Sequence, residues 1–152
     1  MTPELGHFAL IIAFCMALAG GPLALMGAAS GRRNWIGIAR PAARGQCLFV
    51  LIAFAALTHA FINNDFSVAY VANHSNTALP LHYRIAAVWG GHEGSLLLWV
   101  VMLSLWMLAV SLFSRHLPDT MSARVLGVMS LISIGFLAFM LFASNPFERL
   151  FP

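Results

Sequence analysis

The chain contains no lysine, and only 9% of its 152 residues are charged. A soluble domain carries roughly 25% charged residues, so this sequence has too few to clothe a globule in water. With 61% hydrophobic residues and a mean hydropathy of +0.85, lipid must replace much of the solvent. The net charge of +3 comes from 8 basic residues, all arginine, against 5 acids. A basic balance points to nucleic acid when the arginines form a patch on a soluble surface. Here they sit at the ends of apolar runs, which argues for membrane orientation and against a nucleic-acid partner. Cysteine is scarce as well. Cys15 and Cys47 lie within or beside apolar runs without CxxC spacing, and read as small buried hydrophobes rather than a disulfide or zinc site. No CxxCH occurs, which excludes a c-type haem carrier in this chain itself. A phosphate-binding loop, a Ser-His-Asp arrangement and paired carboxylates are also missing, so no catalytic residue and no metal site is assigned.

Long apolar runs are what the sequence does have. A membrane-crossing helix needs about 20 apolar residues, and four runs qualify, near residues 8–29, 46–62, 95–113 and 125–143. The second is short and extends into its flanks. The expected fold is therefore all-α, a single polytopic membrane domain of about four transmembrane helices with one ordered extracytoplasmic loop over residues 63–94. The first run is read as a retained helix rather than a signal peptide, because residues 1–7 carry Glu4 and no basic residue, whereas a secretory leader starts positive. Arg32, Arg33, Arg40, Arg44, Arg115 and Arg124 fall in the two connections on one side, which the positive-inside rule assigns to the cytoplasm. Glu4, Asp65, Glu93 and Glu148 then lie outside, with both termini. Ala13, Ala17 and Gly21 form a small-residue stripe that permits close helix approach, and Ala123 and Gly127 a shorter one. Gly20-Gly21-Pro22 is expected to bend the first helix.

A connection longer than about 12–15 residues is uncommon unless functional or disordered, and residues 63–94 are too rich in Phe, Tyr, Val and Trp for disorder. Alternation of Phe66, Val68 and Tyr70 with Ser67 and Ala69 predicts a short extended segment. Leu79-Pro80 breaks it, and residues 81–88 predict an amphipathic turn with Tyr83 and Trp89 at headgroup depth. Gly90-Gly91-His92-Glu93-Gly94 leads into the third helix. Its glycines allow close approach or positive φ, and Glu93 complements the helix dipole; an ordinary glycine-rich helix entry is the plainer alternative. Trp99, Met102 and Trp106 share one helical face, as a packing seam or a cofactor platform.

Six histidines in so apolar a chain raise the question of haem or metal. His59, inside the second run near its outer end, and His7, opening the first, define a possible bis-His haem b or quinone site between two helices. The alternative is that His7 rests in the interface and His59 hydrogen-bonds a neighbouring helix. His74, His82 and His92 belong to the outer loop at spacings that match no metal motif, and His116 sits in an arginine-bearing connection.

The outer loop also resembles a known family. Asn64-Asp65-Phe66-Ser67-Val68-Ala69-Tyr70-Val71-Ala72, Ser75-Asn76-Thr77, Leu79-Pro80, Tyr83-Arg84 and Trp89-Gly90-Gly91-His92-Glu93-Gly94-Ser95-Leu96-Leu97-Leu98-Trp99 are similar to the start of CcmF and NrfE. These are the haem lyase subunits of bacterial cytochrome c maturation. The likeness continues through Ala123-Arg124-Val125-Leu126 to Ser144-Asn145-Pro146-Phe147. It implies a membrane component of the lyase that attaches haem to the CxxCH cysteines of apocytochrome c, at the outer face of the bacterial inner membrane. It implies haem as cofactor, with a haem chaperone, apocytochrome-delivering subunits and apocytochrome c as partners. It also implies that the haem-handling tryptophans and haem-ligand histidines of the family lie beyond the matched region. The chain is then expected to be an N-terminal scaffold segment, as a fragment, a truncated product or part of a split subunit, inactive in ligation by itself. Within it, Trp89, His92, Glu93 and Trp99 are the residues expected nearest to haem or apocytochrome. A small redox protein using His7 and His59, or a purely structural membrane subunit, are the alternatives.

Overall fold

Hydrocarbon offers no water to satisfy backbone N–H and C=O groups, so each apolar run must close its hydrogen bonds within itself. The computed structural model, which describes residues 1–150, turns all four runs into α-helices. In chain order the elements are α1 (Thr2–Ser30), α2 (Arg33–Ile36), α3 (Ala39–Ile62), α4 (Ala69–His74), α5 (Leu81–Ala87), α6 (His92–Phe113), a single 3₁₀ turn (Ser114–His116) and α7 (Asp119–Phe142). Among the described residues four helices are long and apolar enough to cross a bilayer, with mean hydropathies of 1.9 to 2.5. The fold is all-α and multi-pass, and α1 continues helically through Pro22.

The helices outrun the apolar stretches. Arg40 and Arg44 lie inside α3, and α7 starts at Asp119. A helix end at the membrane surface can carry polar side chains without desolvating them, so hydropathy falls before the helix stops.

α1 packs against both α3 and α7, while α6 closes the other side against α3 and α7. Close approach explains that arrangement. Ala13 and Ala17 are fully buried. A methyl group built on Gly20 would come within 2.6 Å of the Ala42 side chain on α3, and one on Gly21 within 3.0 Å of Ser130 on α7. From the other direction, a methyl on Gly127 would meet Leu25 at 2.7 Å. Both small-residue stripes therefore lie where two backbones nearly touch.

The apolar core has two parts. One, at the end carrying the α3–α6 connection, gathers Phe61, Tyr70, Val71, Val88, Leu97, Met140 and Phe147; the other, at the arginine end, gathers Ile36, Met107, Ala123 and Leu126. Between the helices, the Gln46 side chain is buried with neither its oxygen nor its nitrogen hydrogen-bonded to any described residue. The Trp99, Met102 and Trp106 face points out of this bundle, with Trp106 67% exposed.

At the arginine end, Gly31 adopts φ 69°, the left-handed conformation that closes α1. α2 turns back against α1, and Arg32 lies 4.6 Å over the Trp35 ring. Arg40 donates to the Ser114 carbonyl at 3.2 Å, and Arg44 donates to the Ser111 hydroxyl at 3.2 Å and its carbonyl at 3.3 Å. These two cations sit on carbonyls at the C-terminal end of α6, where positive charge is favoured.

Gly21→Leu is expected to force α1 and α7 apart and cost about 1–3 kcal/mol. Leu18→Ala, at a 44% exposed position on the same helix, should leave stability nearly unchanged. Thermal unfolding in mild detergent measures both, and equal midpoints for the two variants would refute the assigned contact.

Candidate functional site

The connection between α3 and α6 begins where α3 ends at Ile62. Asn64 takes φ 50°, a left-handed conformation that asparagine tolerates better than most residues. Asp65 then accepts from the Ser67 hydroxyl at 2.6 Å and the Ser67 N–H at 3.3 Å, forming a tight local turn. The chain is extended only briefly. Val68 makes an isolated antiparallel bridge to Arg149, flanked by Ala69 N–H donating to Glu148 O at 2.9 Å and Leu150 N–H to Ser67 O at 3.0 Å. The extended segment expected over residues 66–70 is thus reduced to Val68, since Phe66 and Ser67 lie in the turn and Tyr70 belongs to α4. A lone bridge cannot propagate a ladder, so the next backbone donors turn to helical partners instead.

Tyr70 is buried at the centre of this end of the molecule. Its hydroxyl donates to Val88 O at 3.0 Å and accepts from Gly91 N–H at 3.0 Å, tying α4 to the entry of α6. Its ring stands edge-on to Phe61 at 5.3 Å and lies 4.6 Å from the His74 ring. His74 in turn donates from Nδ1 to the Tyr70 carbonyl at 3.0 Å. Burial pushes the Tyr70 phenol above its ordinary value of about 10, although the Gly91 and Gly94 amides favour the phenolate; the Glu93 charge raises it further.

The glycines of the α6 entry follow from this packing. A methyl on Gly91 would sit 2.6 Å from His74 Nε2 and 2.7 Å from the Tyr70 ring. One on Gly94 would overlap the Val88 carbonyl, whereas the space at Gly90 begins at an ordinary 3.4 Å. Close approach is therefore the need at two of the three positions.

Arg84 holds the rest of the connection. Its guanidinium donates to Leu79 O at 2.9 Å, Thr77 O at 3.0 Å and Ile62 O at 3.3 Å, fastening the 77–79 turn onto the end of α3. The segment after α7 closes over the same end. Asn145 accepts from Phe147 N–H at 3.0 Å and points its amide at His7 Nδ1, 3.2 Å away. Phe147 packs on Gly6 so tightly that no side chain fits there, and Arg149 pairs with Glu4.

Two of the four expected site residues flank one feature. His92 Nδ1 lies 3.1 Å from the Ser144 hydroxyl, and its ring stands edge-on to Phe139 at 5.9 Å. Trp99, further along α6, is 65% exposed and lies 6.3 Å from the Phe136 ring. Between them runs an open apolar groove of about 400 Å³ lined by Leu96, Ile132, Gly135, Phe136 and Phe139. Glu93, next to His92, exerts its charge on Tyr70 instead. Trp89 is exposed, with its carbonyl held by the Ser95 hydroxyl at 2.8 Å.

The other histidines have separate partners. The His59 ring is faced by Asn63 of the next turn, 2.9 Å from Nε2, while His7 is faced by Asn145. His82 is exposed and stacks with Tyr83, and His116 is exposed in the 3₁₀ turn. Among the described residues no group of three His, Cys, Asp or Glu side chains is placed to hold a metal ion. Sequence reasoning missed Tyr70, Arg84 and Asn145 as organisers. The only local signals were Asx-type spacings, such as Asp65 with Ser67 and Asn145 with Phe147.

No protein-family model matches the chain. It is 59% identical to the cytochrome c-type biogenesis protein CcmF of Pseudomonas aeruginosa over 100% of its own length and 23% of that protein. Against CcmF of Haemophilus influenzae the identity is 51%, again over 100% of the chain and 24% of the relative. A solved structure of cytochrome c heme lyase CcmF superposes with a TM-score of 0.92 at 32% identity, covering 99% of this chain and 25% of that one. The chain spans about a quarter of the length of the curated relatives it matches. Resemblance to CcmF thus holds over the whole of this sequence.

Tyr70→Phe is expected to leave the Gly91 N–H and Val88 carbonyl unsatisfied, at a cost of about 1–3 kcal/mol. Because the folded state raises the phenol above its unfolded value, the Tyr70 contribution is whole below about pH 10 and is lost as pH rises through the raised value. The difference in unfolding midpoint between wild type and Tyr70→Phe should therefore shrink between pH 9 and pH 11. A difference independent of pH would contradict the assignment.

Proposed function

From its likeness to a quarter of CcmF, we propose that this chain forms a scaffold part of a bacterial haem lyase for cytochrome c maturation. The reading places it in the inner membrane with both described ends periplasmic, as the grouping of six arginines in the two opposite connections favours. In the complete lyase, haem and apocytochrome c are the substrates. Each thiol of the CxxCH motif adds across a haem vinyl group, sulfur bonding to one vinyl carbon and hydrogen to the other, so the cysteines must arrive reduced. A haem chaperone and subunits that deliver reduced apocytochrome are the partners this chemistry requires.

One observation carries the local role. The polar residues of the outer connection hydrogen-bond mostly to one another and to nearby backbone, leaving a rigid platform from which Trp89, His92 and Trp99 face outward. Haem is a flat apolar disc edged by two carboxylates. The groove walls of Leu96, Phe136 and Phe139 suit contact with its face, and His92 at the rim suits a hydrogen bond to a propionate or to apocytochrome backbone. Axial ligation is not assigned to this segment, because the resemblance places the family's haem-ligand histidines beyond the matched region. Glu93 acts indirectly, through Tyr70 and the dipole of α6.

His92→Ala in the full-length lyase should lower the yield of holocytochrome c about tenfold, the worth of a hydrogen bond to a charged group. Haem staining of periplasmic cytochrome c, normalised to lyase level, measures it. An unchanged yield would remove His92 from the working surface.

A further inference from the structure

At the end of the bundle away from the platform, Arg33, Arg40 and Arg44 line one cavity of about 730 Å³. Its walls are α2, the first turns of α3 and the start of α7, with Ile36 and Ala123 among the apolar residues. The wall carries three guanidinium groups against a single carboxylate, Asp119, which is 78% exposed and 3.6 Å from Arg40.

Two of the cations are fixed in place. The hydrogen bonds of Arg40 to Ser114 and Ser122, and of Arg44 to Ser111, hold both side chains against the α6–α7 connection. A guanidinium presents five N–H donors. Arg40 uses only Nη2, and Arg44 uses Nε and Nη2, so each keeps a nitrogen without a partner among the described residues. Arg33 is exposed and makes no side-chain hydrogen bond or ion pair among those residues. Arginines that only set membrane orientation need no common wall. These three converge, with donors held open and too little negative charge to neutralise them.

We propose that this cavity binds a phosphate-bearing anion, and that the phosphodiester headgroup of an acidic phospholipid is its occupant. Planar guanidinium groups match phosphate oxygens in pairs. The depth fits a headgroup. Trp35, with Arg32 stacked on it, lies on α2 itself, and amphipathic rings of this kind settle at the membrane–water boundary. Basic recesses between transmembrane helices are a recurrent form of lipid-headgroup site.

The test uses the intact membrane protein, delipidated in a nonionic detergent, with thermal unfolding followed during titration at low salt. Phosphatidylglycerol should raise the unfolding midpoint saturably, and phosphatidylcholine should not. Arg33→Gln, which disturbs no internal contact, should weaken the apparent phosphatidylglycerol affinity about fivefold, in keeping with one lost cation near an anionic headgroup. Arg124→Gln, an exposed arginine off the cavity wall, should leave it unchanged. Inorganic phosphate is titrated in parallel. A weak response supports the lipid as occupant, and a response equal to that of the lipid supports the anion site while overturning the lipid assignment. Equal effects of the two arginine substitutions, or no preference for phosphatidylglycerol over phosphatidylcholine, would overturn the site.

Discussion

In a hydrocarbon solvent, burying a leucine between helices gains little over leaving it in lipid, so the bundle is held by how closely its helices approach, and α1 supplies most of that closeness. Gly20 lets α3 come to contact distance and Gly21 does the same for α7, so adjacent residues seat two different neighbours. From that contact follow the positions of the two ends. The arginine end brings Arg40 and Arg44 beneath the last carbonyls of α6. The opposite end sets α3, α6 and α7 at the spacing across which Tyr70, Arg84 and Phe147 reach.

That opposite end is organised by polar groups that pair with one another and with backbone. Tyr70 joins α4 to the α6 entry, Arg84 gathers three carbonyls from the 77–79 turn and the end of α3, and Asn145 links the last segment to His7. Such a network is strong when complete, because each member would be costly to leave unpaired. It also accounts for a long connection that stays ordered without strands. The functional reading gains from this rigidity, since a surface presenting His92 and the two tryptophans to a large flat ligand works best when its support does not reorganise.

Four spans and an ordered connection between the second and third were legible because hydropathy and composition act over twenty residues at a time. The helix ends were not, because Arg40, Arg44 and Asp119 look like loop to any hydropathy rule yet lie within helices. The alternation from Phe66 to Tyr70 misled for a different reason: it describes side chains, and only one residue of partner strand exists to receive the backbone. The glycines before α6 were recognised as a demand for close approach, but what approaches, His74 and the Val88 carbonyl, depends on how α4 folds back. His92 and Trp99 do flank one groove, while the Glu93 charge bears on Tyr70, a division that spacing along one helix does not reveal. The pairing of Asn145 with His7 joins residues from the two ends of the chain, and no local pattern encodes it.

The clasp between those ends bears on the order of assembly. α1 is the first of these helices to be synthesised, but its N-terminal end rests on Phe147, Asn145 and Arg149, which emerge after α7. Gly21 likewise waits for Ser130. During insertion, then, the first helix stands in the membrane with a groove of glycine and alanine open along one side and Glu4 held only by the Met1 ammonium. It is the earliest part made and the last completed, and over that interval it is the surface on which an insertion factor or a competing helix would act.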